Sequence, residues 1–193
     1  MSNDIDINQL WTKEEVINAT KAKDFTLNFL NSVKITGVSI DTRTLKKNEL
    51  FIAIKGKNFD GHHFIEEAIN IGASGVIVSS KKDAIKFKGL YVDDTLKALF
   101  DLGNFSRKRF NGKIIAITGS NGKTSTKDMA NIIFSKFGKS HATSGNNNNI
   151  IGLSLTLSRL NKSYDYCILE LGMSNKQELK KLSLIAKPDF VII

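Results

Sequence analysis

Apolar positions along the chain follow two rhythms. Short continuous runs at Leu50–Ile54, Val76–Val78, Leu90–Val92, Ile114–Ile117 and Tyr166–Leu169, with a last one from Asp189 to Ile193, predict strands buried on both faces of a sheet. Residues Lys34–Ile40 alternate in strand fashion. Between these runs the apolar residues recur at three and four, which predicts helices. One covers Trp11–Ala19, with Thr12 as its N-cap and Glu15 at N3 of a capping box. A second runs from His63 to Ile71 and stops at Gly72. A third, Thr95–Phe110, carries Leu96, Leu99 and Phe100 on one face. A fourth is amphipathic through Met129, Ile132, Ile133 and Phe137 until Gly138 closes it, and a fifth is striped by Leu179, Leu182 and Ile185 ahead of Lys187-Pro188. Strands alternating with helices predict an α/β fold with parallel pairing.

The stretch Ile114 to Ser125, I-I-A-I-T-G-S-N-G-K-T-S, joins a buried strand to a helix through a glycine loop. That order aims several backbone N–H groups and the positive end of a helix dipole at one spot, which suits phosphate. Gly119, Ser120, Asn121, Gly122, Lys123, Thr124 and Ser125 are therefore the candidate nucleotide-binding residues. Lys123 supplies a full charge for terminal phosphates and Thr124 a hydroxyl for magnesium. The loop is tighter than G-x-x-x-x-G-K-[ST], since the first glycine of that pattern would fall at Ile117. With this loop the chain divides into a small N-terminal α/β domain, 1–110, and the first part of a P-loop-type parallel-sheet ATPase domain, 111–193.

Two further features belong to the same edge. Tyr166–Leu169 delivers Glu170 at the carboxyl end of its strand, where ligands bind in parallel sheets, so Glu170 is a second candidate magnesium ligand. Asn146, Asn147, Asn148 and Asn149 stand just before a helix start, and their amides can serve a polar ligand or the helix's free N–H groups. The spacing alone leaves open a flexible turn of no chemical consequence.

Charge changes little in this picture. The chain of 193 residues carries a net +9, but its lysines are scattered and not interleaved with aromatics, which argues against nucleic acid and against an anionic membrane. Cys167 is the only cysteine and sits in an apolar run, so it reads as a buried structural thiol. His62 and His63 have no third ligand nearby and do not read as a metal site. No run reaches the length of a membrane span, and the polar start M-S-N-D-I-D has no signal-peptide pattern, so a cytoplasmic monomer is expected. The final residues form an apolar strand with nothing to cover it, which predicts a piece of a longer enzyme.

Four stretches together resemble the Mur ligases, the ATP-dependent amide-bond-forming enzymes of peptidoglycan precursor synthesis. They are D-T-R at Asp41 to Arg43, F-I-A-I-K-G-K-N-F-D-G-H-H-F-I from Phe51 to Ile65, T-G-S-N-G-K-T-S from Thr118 to Ser125, and G-N-N-N-N-I-I-G with L-E-L-G-M after it. The tight T-G-x-N-G-K-T loop is shared with folylpolyglutamate synthetases. The asparagine-rich segment resembles the family members that join D-alanyl-D-alanine to UDP-N-acetylmuramoyl-tripeptide. Ser154, where the family usually has proline, and Gln177, where glycine is common, are departures at scaffold positions.

The resemblance, which runs from about residue 12 to the end, implies a two-step reaction with ATP and Mg2+. A substrate carboxylate is phosphorylated, and an amine then attacks the acyl phosphate. It implies Lys123 at the β/γ-phosphates, Thr124 and Glu170 at magnesium, substrate or nucleotide contact at Asn146, Asn148 and Asn149, and Asp41, Thr42 and Arg43 near the uridine end. The family's metal-binding histidine, carbamylated lysine and C-terminal domain would fall after Ile193, so no turnover is expected of these residues alone. Two rivals stand beside this reading: another Mur or folate-type glutamate ligase, and a non-catalytic P-loop module acting on nucleic acid.

Overall fold

The computed structural model describes residues 9–25, 34–56, 59–173 and 176–193; the polar start and part of the Lys55–Gly61 loop lie outside the described residues. Two compact units, Met1–Leu102 and Gly103–Ile193, make up the chain, and the division falls inside one helix. No helix among the described residues is long and apolar enough to cross a membrane.

The first unit is a five-stranded sheet, with strands β1 (Lys23–Asp24), β2 (Gly37–Ser39), β3 (Glu49–Ile52), β4 (Gly75–Val78) and β5 (Leu90–Tyr91) in the order β1-β5-β4-β3-β2. Pairings β2–β3, β3–β4 and β4–β5 are parallel, while the short β1 runs antiparallel to β5. Helix α1 (Lys13–Thr20) has both arms of the expected capping box, Thr12 Oγ1 accepting from Glu15 N and Glu15 Oε2 accepting from Thr12 N. Trp11, read as helical, instead bridges Ile35 and is fully buried. A 3-10 turn, Gly61–Phe64, precedes α2 (Ile65–Ile71), which ends at a left-handed Gly72 as its sequence requires. Helix α3 (Lys81–Lys86) had no sequence signal beyond its Ser80 cap. Helices α2 and α3 place Ile65, Ala68 and Ala84 against Phe51, Ala53, Val76 and Val78.

Helix α4 (Thr95–Arg109) leads into the second sheet, all parallel, with strands β6 (Lys113–Ile117), β7 (Ser140–Ala142), β8 (Tyr166–Glu170) and β9 (Phe190–Ile192) in the order β7-β8-β6-β9. The continuous apolar run of β6 has a direct cause. Ile114 and Ala116 pack with Leu153, Leu157 and Leu182, while Ile115 and Ile117 pack with Ala130 and Phe134 on the other face. Helices α6 (Ile150–Ser158) and α7 (Lys176–Ala186) supply the first layer and α5 (Lys123–Phe134) the second. Arg107 closes the carboxyl end of α7, donating to the carbonyls of Ala186 and Lys187 at 2.8 Å each.

Helix α5 departs from its pattern. It ends at Phe134, not near Phe137, and the residues that made it look amphipathic face outward: Met129, Ile132, Ile133 and Phe137 are all more than half exposed. Its core face is Lys127, Ala130 and Phe134. The apolar spacing identified the helix correctly and its buried face wrongly, because two faces of this helix carry apolar residues and only packing distinguishes them.

Candidate nucleotide-binding site

Strand β6 ends at Ile117, and the Oγ1 of the next residue, Thr118, donates to the carbonyl of Leu171 at 3.0 Å and ties the loop to the end of β8. Two residues then take positive φ, Gly119 at 138° and Gly122 at 75°, a backbone region costly for any residue with a Cβ. Gly122 is the N-cap of α5, and no side chain caps the helix, so its first N–H groups point out of a twelve-residue helix. Lys123 folds back over its own loop, its Nζ donating to the carbonyls of Gly119 at 2.6 Å and Ser120 at 3.4 Å. Ser120, Asn121, Thr124 and Ser125 are exposed around it.

Parallel pairing of β6 with β8 sets Ile117 opposite Glu170, which brings the end of β8 beside the loop. Glu170 is 2% exposed. Its Oε2 accepts from Thr124 Oγ1 at 2.9 Å and its Oε1 from Asn148 Nδ2 at 3.0 Å. Both are neutral donors, and among the described residues no lysine or arginine pairs with the carboxylate. A buried carboxylate so arranged is short of positive charge. A hydroxyl and a carboxylate are the hard oxygen donors magnesium takes, with phosphate oxygens and water completing its octahedron. The described residues gather no group of three His, Cys, Asp or Glu, so a cation here would depend on a bound phosphate as well.

The asparagine run divides its labour. Asn148 contacts Glu170, and its carbonyl accepts from Gly172 N at 2.8 Å. Asn149 is the N-cap of α6, its Oδ1 accepting from Gly152 N at 2.9 Å. Asn146 is exposed, and its carbonyl accepts from Asn148 N. The fold-back of this run explains Gly152, because a Cβ there would strike the backbone of Asn147.

Sequence reasoning passed over three residues that hold this edge together. Thr143 Oγ1 accepts from Glu170 N at 3.0 Å. Lys127, only 5% exposed, donates to Thr143 O at 3.0 Å and lies 2.7 Å from Asp128. Thr118 is the third. Their common signal is a polar residue at the carboxyl end of a strand or on the core face of a helix, which cannot be recognised until that face is known.

In the first unit, Asp41 and Arg43 form a tight pair. Arg43 Nε lies 3.0 and 3.1 Å from the two Asp41 oxygens and its terminal nitrogen 2.6 Å from Oδ2. The guanidinium holds the Asp41 carboxyl below the usual carboxylate range. With Thr42, Ile40, Phe51, Phe59 and Phe64 they line a cavity of about 560 Å³.

Comparison with known proteins identifies relatives along most of the chain. Residues 34–107 match the Mur ligase family catalytic domain, and residues 117–193 match the Mur ligase middle domain. The UDP-N-acetylmuramoyl-tripeptide--D-alanyl-D-alanine ligase of Bacillus subtilis is 41% identical over 161 residues, 82% of this chain and 35% of the relative. That of Escherichia coli is 37% identical, over 83% of this chain and 35% of the relative. Among solved structures, the corresponding ligase of Acinetobacter baumannii aligns with a TM-score of 0.80 at 33% identity, over 94% of this chain and 40% of that one. The MurF ligase of Thermotoga maritima in complex with ADP gives 0.61 at 30% identity, over 79% and 36%. The chain thus spans little more than a third of the length of its curated relatives. Two consecutive domain models of one family, and relatives and structures that bear that family's name, agree on one conclusion: the chain belongs to the Mur ligase family.

Proposed function

We propose that this chain supplies the UDP-substrate domain, 1–110, and the first part of the ATP-binding domain, 111–193, of a cytoplasmic ATP-dependent ligase that joins D-alanyl-D-alanine to UDP-N-acetylmuramoyl-tripeptide. The observation that carries the reading is the meeting of Thr124 with the buried carboxylate of Glu170 beside a glycine loop at a helix N-terminus. Gly119 to Ser125 cradle the phosphates, and Lys123 leaves the loop carbonyls to bind the β/γ-phosphates. Thr124 and Glu170 hold Mg2+, which when bound offsets the charge of the phosphate oxygens. Asn148 keeps the carboxylate turned toward the loop, and Asn146 and Asn149 border the substrate. Asp41, Thr42 and Arg43 receive the uridine end.

Transfer of a phosphoryl group demands positioning and charge more than covalent chemistry, and these residues contribute both. The substrate carboxylate attacks the γ-phosphorus and ADP departs. The amine of the dipeptide then attacks the acyl phosphate carbon, and phosphate leaves. The test is ADP and phosphate release by the complete polypeptide that carries these residues, supplied with UDP-N-acetylmuramoyl-tripeptide and either D-alanyl-D-alanine or single amino acids. Turnover with the dipeptide alone supports the proposal, and turnover with glutamate or another single amino acid overturns it. The same polypeptide with Lys123→Ala is expected to bind ADP about 10- to 100-fold more weakly.

A further inference from the structure

The D-G-H segment beside the cavity of the first unit contains a three-residue hydrogen-bond relay. His62 Nδ1 lies 2.6 Å from Asp60 Oδ1, and the same oxygen accepts from His62 N at 3.0 Å. On the opposite side of the ring, His62 Nε2 lies 3.0 Å from the backbone N–H of Ser79 and 3.3 Å from its Oγ. A backbone N–H can only donate, so Nε2 is the acceptor and the ring proton sits on Nδ1, directed at Asp60. Aspartate, histidine and serine in this order have the composition of a hydrolase triad. The lone pair that would take the serine proton is already engaged by the amide, so Ser79 is not activated.

What the relay does is mechanical. It ties the 3-10 turn Gly61–Phe64 to the residue following β4. Gly61 N donates to Ile54 O at 2.8 Å, and a Cβ on Gly61 would press on the backbone of Ala53 and Ile54, so the turn lies flush on the end of β3. Phe59 precedes this fixed turn and Phe64 closes it, and their rings stack with centroids 5.2 Å apart and planes at 17°. Both line the cavity that holds Asp41, Thr42 and Arg43, and Phe59 is 53% exposed. A flat apolar wall in the same cavity as a guanidinium and a hydroxyl suits a ligand with a flat ring at one end and an anionic group at the other.

We infer that His62 is a positioning residue for substrate: the Asp60–His62–Ser79 relay holds the Phe59–Phe64 pair as the wall on which the heterocycle of a uridine nucleotide stacks. The inference rests on the reading of this cavity as the nucleotide end of the substrate site.

Calorimetric titration of the 193-residue chain with UDP tests it, using wild type, Phe59→Leu, His62→Phe and His62→Gln, with melting temperatures measured alongside. Phe59→Leu and His62→Phe are expected to weaken UDP binding about tenfold, the scale of one lost stacking contact. The amide of His62→Gln can donate to Asp60 and accept from Ser79, so it is expected to restore affinity to within about threefold of wild type. If wild type does not bind UDP, the reading of the cavity falls and the inference with it. If wild type binds and His62→Phe binds equally well, the cavity reading stands and the role of His62 is overturned. Equal weakening by His62→Phe and His62→Gln also overturns it, since ring packing and not the relay would then be responsible, and unweakened binding by Phe59→Leu overturns the stacking wall. Should His62→Phe not fold, the 15N spectrum of the wild-type ring decides, because a proton on Nε2 contradicts the relay.

Discussion

Thr124 and Glu170 are 46 residues apart in the chain, and the hydroxyl of one donates to the carboxylate of the other at 2.9 Å. The contact exists because β6 and β8 are parallel neighbours in register, so the start of α5 and the end of β8 meet at one sheet edge. With Asn148 on the other oxygen, the carboxylate is oriented by neutral donors, and no lysine or arginine among the described residues offsets its charge.

Glu170→Gln removes that charge with almost no change of shape. Mg2+ is expected to tighten ADP binding to wild type, whereas calorimetric titrations of the variant with and without Mg2+ should coincide. A buried charge without a cationic partner is lost at the same time, so thermal or urea unfolding should show stability unchanged or raised by up to about 1 kcal/mol. A large loss of stability would mean that the carboxylate is a structural keystone.

Burial pushes the Cys167 thiol up to about 12, with nearby Arg107 opposing it slightly. In the unfolded chain the thiol ionises near about 8.5. The folded state therefore holds the proton more tightly. The stability this difference contributes is complete below about pH 8.5 and falls as pH rises toward 12, at up to about 1.4 kcal/mol per pH unit. Urea unfolding of wild type and Cys167→Ala at pH 8 and pH 10 should show the wild type losing more between the two. At pH 8 a thiol reagent should modify the folded chain no faster than it unfolds.

Ser154 stands on α6 with its hydroxyl buried and, among the described residues, without a hydrogen-bond partner, and the residue is 1% exposed. Leaving such a group unsatisfied costs free energy that alanine avoids. Ser154→Ala is expected to raise stability by about 1 kcal/mol, read as a higher urea midpoint at unchanged slope.

The two apolar faces of α5 can be separated by charge. Ile133→Lys, on a face where that residue is 56% exposed, should change stability by less than about 0.5 kcal/mol. Ala130→Lys would bury an ammonium against Ile115, Ile117 and Ile168 and should cost more than about 3 kcal/mol. Equal costs in urea unfolding would place the core contact on the face read from the sequence.

Local chemistry determined much of this protein before any fold was known. The Thr12 capping box, the Gly72 stop, the doubly buried runs of β6 and β8 and the glycine loop ahead of α5 all depend on residues within one or two turns of each other, and their spacing carries the information. Such spacing also singled out Lys123, Thr124, Glu170 and the asparagine run as candidates. What it could not supply was contact across the sheet. That Asn148 turns to Glu170 while Asn149 caps a helix, that Lys127 is buried beneath Thr143, and that His62 reaches Ser79 follow from strand order and register. The outward turn of Met129, Ile132 and Ile133 has the same origin: a periodic pattern names a helix and its faces, and only the packing of distant segments selects the face that is buried.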